Sequence, residues 1–367
     1  MFNPTAPVNE QLALYSDLFM LIAALVYAAS FIVFAIDMAV ASGTIRRLEQ
    51  ELASERDLAC HPQRSTATAS AGGKGAGSTA LLDRDPSGSA PLDRAGDGAE
   101  FDLVDADMDY TGQGRRPIAN VAVAILGIGW ALHAFAVVAR GLAASRVPWG
   151  NLYEFMTTGA LLVTTVYLVF LFRKDLRFVG TFVTGLVVAM MCAATMGFPT
   201  PVGHLQPPLQ SPWLVIHVSI AVLATALFTL TAAMSILQLV QSNAQTRLTQ
   251  GRSTWSFLRL VPTAGSLENW SYRINAVGFV MWSFTLIAGA IWAEAAWGRY
   301  WNWDTKEVWT FVIWVVYAAY LHARATRGWT GARAAWLSIV GFACIVFNYT
   351  IVNTYFPGLH SYAGLPG

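Results

Sequence analysis

Eight mostly apolar runs punctuate the chain, at 18–40, 118–138, 155–172, 178–196, 213–240, 274–293, 308–321 and 334–355. Most are long enough to cross a hydrocarbon core, which takes about 20 residues of helix at 1.5 Å rise each. Charged residues make up only 12% of the 367 positions, about half of what a soluble domain carries. Apolar residues reach 55%. The expected fold is therefore all-α, a polytopic membrane helix bundle of about eight transmembrane helices. The first run is not a cleavable signal, because its apolar core is too long and no positive region precedes it.

Basic residues set the orientation. With the N-terminus outside, only Arg140, Arg146, Arg299 and Lys306 of the 23 basic residues fall in outer loops. The rest lie in the long first loop or in the short inner loops around Arg173, Arg247, Arg259 and Arg324. Both termini are then outside. The net charge of +1 says nothing about partners, and nothing in the chain suggests nucleic acid. Cys60, Cys192 and Cys344 are far apart and form no C-x-x-C, which argues against a disulfide framework or a dithiol redox motif. There is no C-x-x-C-H either, so the chain is not itself a c-type cytochrome.

Three regions are expected: a first transmembrane helix in 1–42, an acidic inner-side loop over 43–116, and a membrane domain over 117–367. The loop is rich in Ala, Gly, Ser, Asp and Pro, with nine acids against two arginines between 83 and 109. Such a segment buries too little apolar surface to offset the cost of ordering it and reads as disordered. A spacer is the plain reading of it, a tether or docking strip the functional one.

Between two apolar runs, over 292–309, five tryptophans surround a short charged loop in the sequence W-A-E-A-A-W-G-R-Y-W-N-W-D-T-K-E-V-W. That exceeds what an aromatic belt at the membrane boundary needs. It would form an apolar shelf with polar edges, suited to a flat, large, amphiphilic ligand such as a porphyrin. Topology then sorts the six histidines. His217 lies about 6 Å into its helix from the outer end, and His360 follows the last helix on the same side. Two imidazoles from different segments flanking an aromatic shelf are what bis-histidine ligation of heme iron would need.

His322 falls roughly 21 Å down its helix, near the inner boundary, and could not share their metal. It is either an interfacial histidine beside Arg324 or a functional group in its own right. His133 reads as a hydrogen-bonded packing residue. His204 reads as solvated, and His61 has no assignment. Asp304 and Glu307 suit a helix start, where negative charge meets the helix N-terminus. Asp37 would snorkel at an inner helix end, and Glu154 would make a polar contact between helices.

Four stretches carry a family resemblance: S-P-W-L-V-I-H-V at 211–218, W-G-R-Y-W-N-W-D-T-K-E-V-W at 297–309, G-L-H-S-Y at 358–362 and V-P-W-G-N-L-Y-E at 147–154. From about 118 to the end the chain resembles cytochrome c biogenesis proteins of the Ccs/Res type (system II), whose heme-handling subunit has a tryptophan-rich WWD domain. That tryptophan motif is shared with the heme-handling proteins of system I. The resemblance implies that His217 and His360 ligate the iron of heme b on the outer face. It implies that His322 ligates heme nearer the inner side, with the second inner ligand supplied by a partner. One departure stands out: Arg146 occupies a position where many relatives have histidine, and it is not read as a ligand.

The implied work is transport or presentation of heme at the outer face, and its covalent attachment to the C-x-x-C-H segment of an apocytochrome c, as a subunit of a heme lyase. Implied partners are a Ccs/Res-type membrane subunit, the apocytochrome segment and a thiol-reducing thioredoxin-like protein. The tryptophans Trp292, Trp297, Trp301, Trp303 and Trp309 would bury the ring. Arg299 and Lys306 would pair with its propionates. No general base is nominated, since attachment can rest on orientation and reduced iron. Two alternatives stay open: a protein that delivers heme to a separate chaperone, and a b-type heme electron carrier. A substrate–ion transporter is disfavoured, for the chain has neither mid-membrane charges nor internal repeats. The predominance of arginine over lysine points to a bacterial plasma membrane.

Overall fold

The computed structural model describes residues 7–60, 116–251, 254–326, 329–356 and 358–360. Among them all regular structure is helical, and eight helices are long and apolar enough to cross a membrane. They are built on α1 (Glu10–Cys60), α2 (Pro117–Ala143), α3 (Leu152–Leu171), α4 (Gly180–Cys192), α5 (Pro212–Thr249), α6 (Ala264–Trp297), α7 (Thr305–Ala325) and α8 (Ala332–Phe347), with α4 and α8 reaching span length through their flanking turns, as Arg177–Gly197 and Ala332–Tyr355. The chain is a multi-pass membrane protein.

Two apolar cores build the bundle. The larger joins α1 to α6 around Tyr27, Phe34 and Tyr167. The smaller joins α5 to α8 around Phe228, Trp282 and Tyr317, with the Phe228 and Tyr317 rings stacked at 3.8 Å. Helices α5 and α6 belong to both. The most apolar window of α5 is 72% buried, against 17% for α7, so α5 is the central post and α7 lies at the periphery.

Helices α1 and α2 run antiparallel. Ser16 Oγ donates to Ala136 O at 2.8 Å and Ser30 Oγ to Ala122 O at 2.9 Å, each satisfying a hydroxyl that lipid could not. His133 is fully buried, with Nδ1 3.2 Å from the Tyr27 hydroxyl, as expected of a packing histidine. Asn9 N donates to Ala143 O at 2.9 Å, which sets the start of α1 at the same bundle end as the loop after α2.

Two expectations need correcting. Helix α1 continues to Cys60, well into the segment read as loop from 43; the acidic stretch 61–115, with His61, lies outside the described residues. Asp37 does not snorkel. It is buried, pairs with Arg116 and accepts the Ala119 N–H at 3.0 Å, so it satisfies an orphan donor at the start of α2.

Candidate functional site

At one end of the bundle a cavity of about 1240 Å³, counted to its open mouth, is walled by the ends of α3, α5, α6, α7 and α8. Local sequence explains each wall. Ser211 caps α5 by accepting the Trp213 N–H at 3.3 Å, with Pro212 at the first helical position. That start sets His217 about 8 Å into the helix.

The His217 ring meets the edge of Trp292 at 5.5 Å, and its Nδ1 is buried without a partner. Room for it comes from Gly289 on α6, where a Cβ would lie 2.8 Å from the imidazole Cε1. Helix α6 ends at Gly298 in the left-handed conformation (φ 68°), which frees the chain to turn across the mouth.

The loop is then tied into α7 by a reciprocal cap. Lys306 N donates to Asp304 Oδ1 at 2.9 Å, while Glu307 Oε2 accepts the N–H groups of Asn302 and Asp304 at 2.9 and 3.1 Å. Glu307 also accepts from Arg299 Nη1 at 2.7 Å. The expected capping role of both acids is what the structure shows.

Asp304 has further partners. Its Oδ2 accepts the Leu359 N–H at 2.9 Å, and its Oδ1 lies 3.4 Å from His360 Nδ1. The His360 imidazole beside it is the main cause holding the carboxyl at about 2, below its usual range, against the opposing effect of partial burial. The Lys306 and Leu359 N–H groups add to it.

The sequence-predicted residues divide. His217, His360, Trp292, Trp297, Trp301 and Lys306 line the one cavity. Trp303 and Trp309 do not: Trp303 takes a left-handed backbone (φ 58°) that turns its ring outward, 77% exposed, and Trp309 packs on Phe347 at 4.4 Å. Arg299 sits behind the wall, 5.4 Å over the Trp297 ring, with Nη2 buried and unpartnered.

Lys306 Nζ donates to Asn348 O at 3.0 Å and Asn353 Oδ1 at 2.8 Å, and lies 4.7 Å over the Tyr349 ring. None of these partners carries a charge. The Asn348 carbonyl is available to it within a π turn over Asn348–Val352, a form of local unwinding common at functional sites. His322 is exposed near the far end of α7, and His204 is exposed in the loop before α5.

Sequence reading overlooked part of the wall. Trp149 and Phe155 line it, as do Tyr349 and Asn353. Phe155 stacks on Tyr349 at 4.3 Å, closing α3 against α8. The two asparagines in the last apolar run were the available signal, for polar residues within a span seldom lack a partner.

Behind this wall lies a buried charge cluster. Glu154, fully buried, accepts from Arg140 Nε at 2.9 Å, from Arg146 Nη1 and Nη2 at 2.7 and 2.9 Å, and from Gly150 N at 2.7 Å. The arginines reach on to Thr200 O at 2.5 Å and Gly203 O at 2.8 Å, so one carboxylate ties together the loops after α2 and α4. The polar contact expected of Glu154 is present, and Arg146 is occupied by it.

Residues 149–360 match the model of a family described as Cytochrome C assembly protein. That span takes in every wall of the cavity. The chain belongs to the CcsA-type family of cytochrome c biogenesis proteins. It is 34% identical over 275 residues to a cytochrome c biogenesis protein CcsA of Guillardia theta, covering 70% of this chain and 86% of that one. A protein of the same name from Microcystis aeruginosa is 34% identical over 288 residues, 67% of this chain and 85% of its own length. One from Heterosigma akashiwo is 36% identical over 248 residues, covering 59% and 77%. A role in cytochrome c biogenesis follows from that membership.

Proposed function

We propose that the cavity holds heme b as cargo, bound through His217 and His360, and presents it at the outer face for attachment to a C-x-x-C-H apocytochrome segment. The observation that carries this reading is that two histidines distant in sequence line one cavity with Trp292, Trp297 and Trp301. The donor set suits the cargo. Indole walls favour a flat macrocycle, Lys306 offers an Nζ donor whose present hydrogen-bond acceptors are uncharged to a propionate, and a buried imidazole nitrogen of His217 is without a partner. The scarcity of basic residues in loops at the cavity end supports an outward orientation. A bacterial plasma membrane is part of the same reading.

In attachment, each cysteine S–H would add across a vinyl group. The S–C bond forms at one vinyl carbon and the proton ends on the other, with no net oxidation. The chain's contribution is to hold the ring still and keep water off it. A heme lyase subunit fits this better than an electron carrier, because among the described residues no second histidine pair is stacked beneath the first.

His322 fits an inner loading site only with outside help. It is exposed on the same outward stripe of α7 as Phe311 and Val315, turned away from the other helices. Its second ligand would come from the partner membrane subunit. With that partner present, His322→Ala should lower heme content and cytochrome c yield about tenfold, in the range for loss of a metal-site group; normal values for both would remove His322 from the pathway.

The central test is spectroscopic. Purified His217→Ala and His360→Ala variants should each lose the bis-imidazole absorption bands of the complex. Unchanged bands in both variants overturn the proposal.

A further inference from the structure

One side chain of the cavity rim, Asp304, meets the tail after α8 at two points. Leu359 N donates to Asp304 Oδ2 at 2.9 Å. Backbone and carboxylate come so close that a Cβ at Gly358 would lie 2.5 Å from Oδ2, a distance no other residue tolerates without a shift. The other oxygen of the same carboxylate lies 3.4 Å from His360 Nδ1. That separation is long for a hydrogen bond, and Nδ1, buried, makes no hydrogen bond of ordinary geometry; the Asp304 carboxylate is the charged group it faces. On its other side the His360 ring meets the edge of Trp297 at 4.9 Å. Asp304 therefore addresses the tail twice, once through the backbone and once through the imidazole.

We infer that Asp304 is the positioning carboxylate of His360: it fixes the proton on Nδ1 and leaves Nε2 as the nitrogen that faces a metal. This rests on the reading of His360 as an iron ligand. A carboxylate can only accept, so its imidazole partner must donate from Nδ1, and a neutral imidazole has one N–H to give. A ring held in this way is oriented and is a more basic ligand, as carboxylate–histidine pairs are at other metal sites. Capping of α7 and tail placement thus share one side chain. The aspartate of the tryptophan-rich motif accordingly has a task besides starting a helix.

Asp304→Asn separates the tasks. Its amide can turn an N–H toward Nδ1, which moves the imidazole proton to Nε2. Asp304→Ser is the second variant, because serine keeps a helix cap without the charge. Two measurements on the full-length protein, purified with its partner, decide the matter. In metal-free protein labelled with ¹⁵N-histidine, wild type should show the His360 proton on Nδ1, and Asp304→Asn should show it on Nε2. In the heme-loaded protein, loss of the carboxylate should weaken the preference for ferric iron about tenfold, a rise of about 59 mV in a one-electron midpoint.

The same substitution made in His360→Ala, with free imidazole added to replace the ring, should leave the midpoint unchanged. An equal rise there would show that Asp304 acts through general charge, and an Nε2–H tautomer in wild type would overturn the assignment outright. If His360→Ala instead keeps the wild-type bands, His360 is no ligand, and the failure lies with the functional reading; the tautomer measurement still reports on Asp304.

Discussion

Replacing Glu154 by glutamine is expected to destabilise the protein by about 3–5 kcal/mol, the cost of removing one partner from a buried ion cluster. Two guanidiniums, those of Arg140 and Arg146, would be left in the bundle with a neutral amide between them. Asp17 offers Arg140 little relief at 3.3 Å, because it is 55% exposed and solvated. Thermal unfolding in detergent measures the effect. Replacing Glu154, Arg140 and Arg146 together by apolar residues of similar volume should cost less than the single change, because no charge then stays uncompensated. A glutamine variant as stable as wild type would mean that water reaches the cluster and that the two loops are held by other means.

The second large effect is expected at Gly289. A methyl group there would lie 2.8 Å from the His217 ring, so the imidazole has to move or α5 and α6 must separate. Gly289→Ala should lower heme affinity about 10–100-fold, the range found when supports of a metal ligand are lost, with helix content unchanged. Gly127→Ala on α2 is the control: nothing lies within 4 Å of its Cβ position, and alanine within a helix is favoured by roughly 0.5–1 kcal/mol. Heme titration of the two variants tests this directly. Equal affinities would show that His217 does not hold the cargo in the pose drawn from the cavity.

Hydropathy made the bundle legible because a span must be both long and apolar, and few other solutions exist in lipid. It was least informative at helix ends. The run read as 308–321 is a helix over Thr305–Ala325; its first turn carries Lys306 and Glu307, which capping and cavity contacts satisfy and which a hydropathy reading discards. Composition reads 43–60 as loop, yet its interspersed acids and bases suit a solvated helix, the form α1 takes there.

The site was legible in part. A cluster of indoles marks a shelf, but periodicity does not say which rings face it. A left-handed backbone at Trp303 and the rotation of Trp309 toward Phe347 depend on tertiary detail. Trp149, in the loop before α3, and Tyr349, in the last span, reach the cavity from segments remote in sequence, which only packing reveals.

The two cavity imidazoles stand on unequal footings. One is embedded in the most buried post of the bundle; the other lies on the segment after the last span, where, among the described residues, Asp304 meets both the Leu359 N–H and the imidazole. Any swap of one ligand for an incoming histidine would therefore begin at that segment, as a door swings on its leaf and not on its frame. If the proposed cargo binds there, such an asymmetry would give its release a direction without a moving domain.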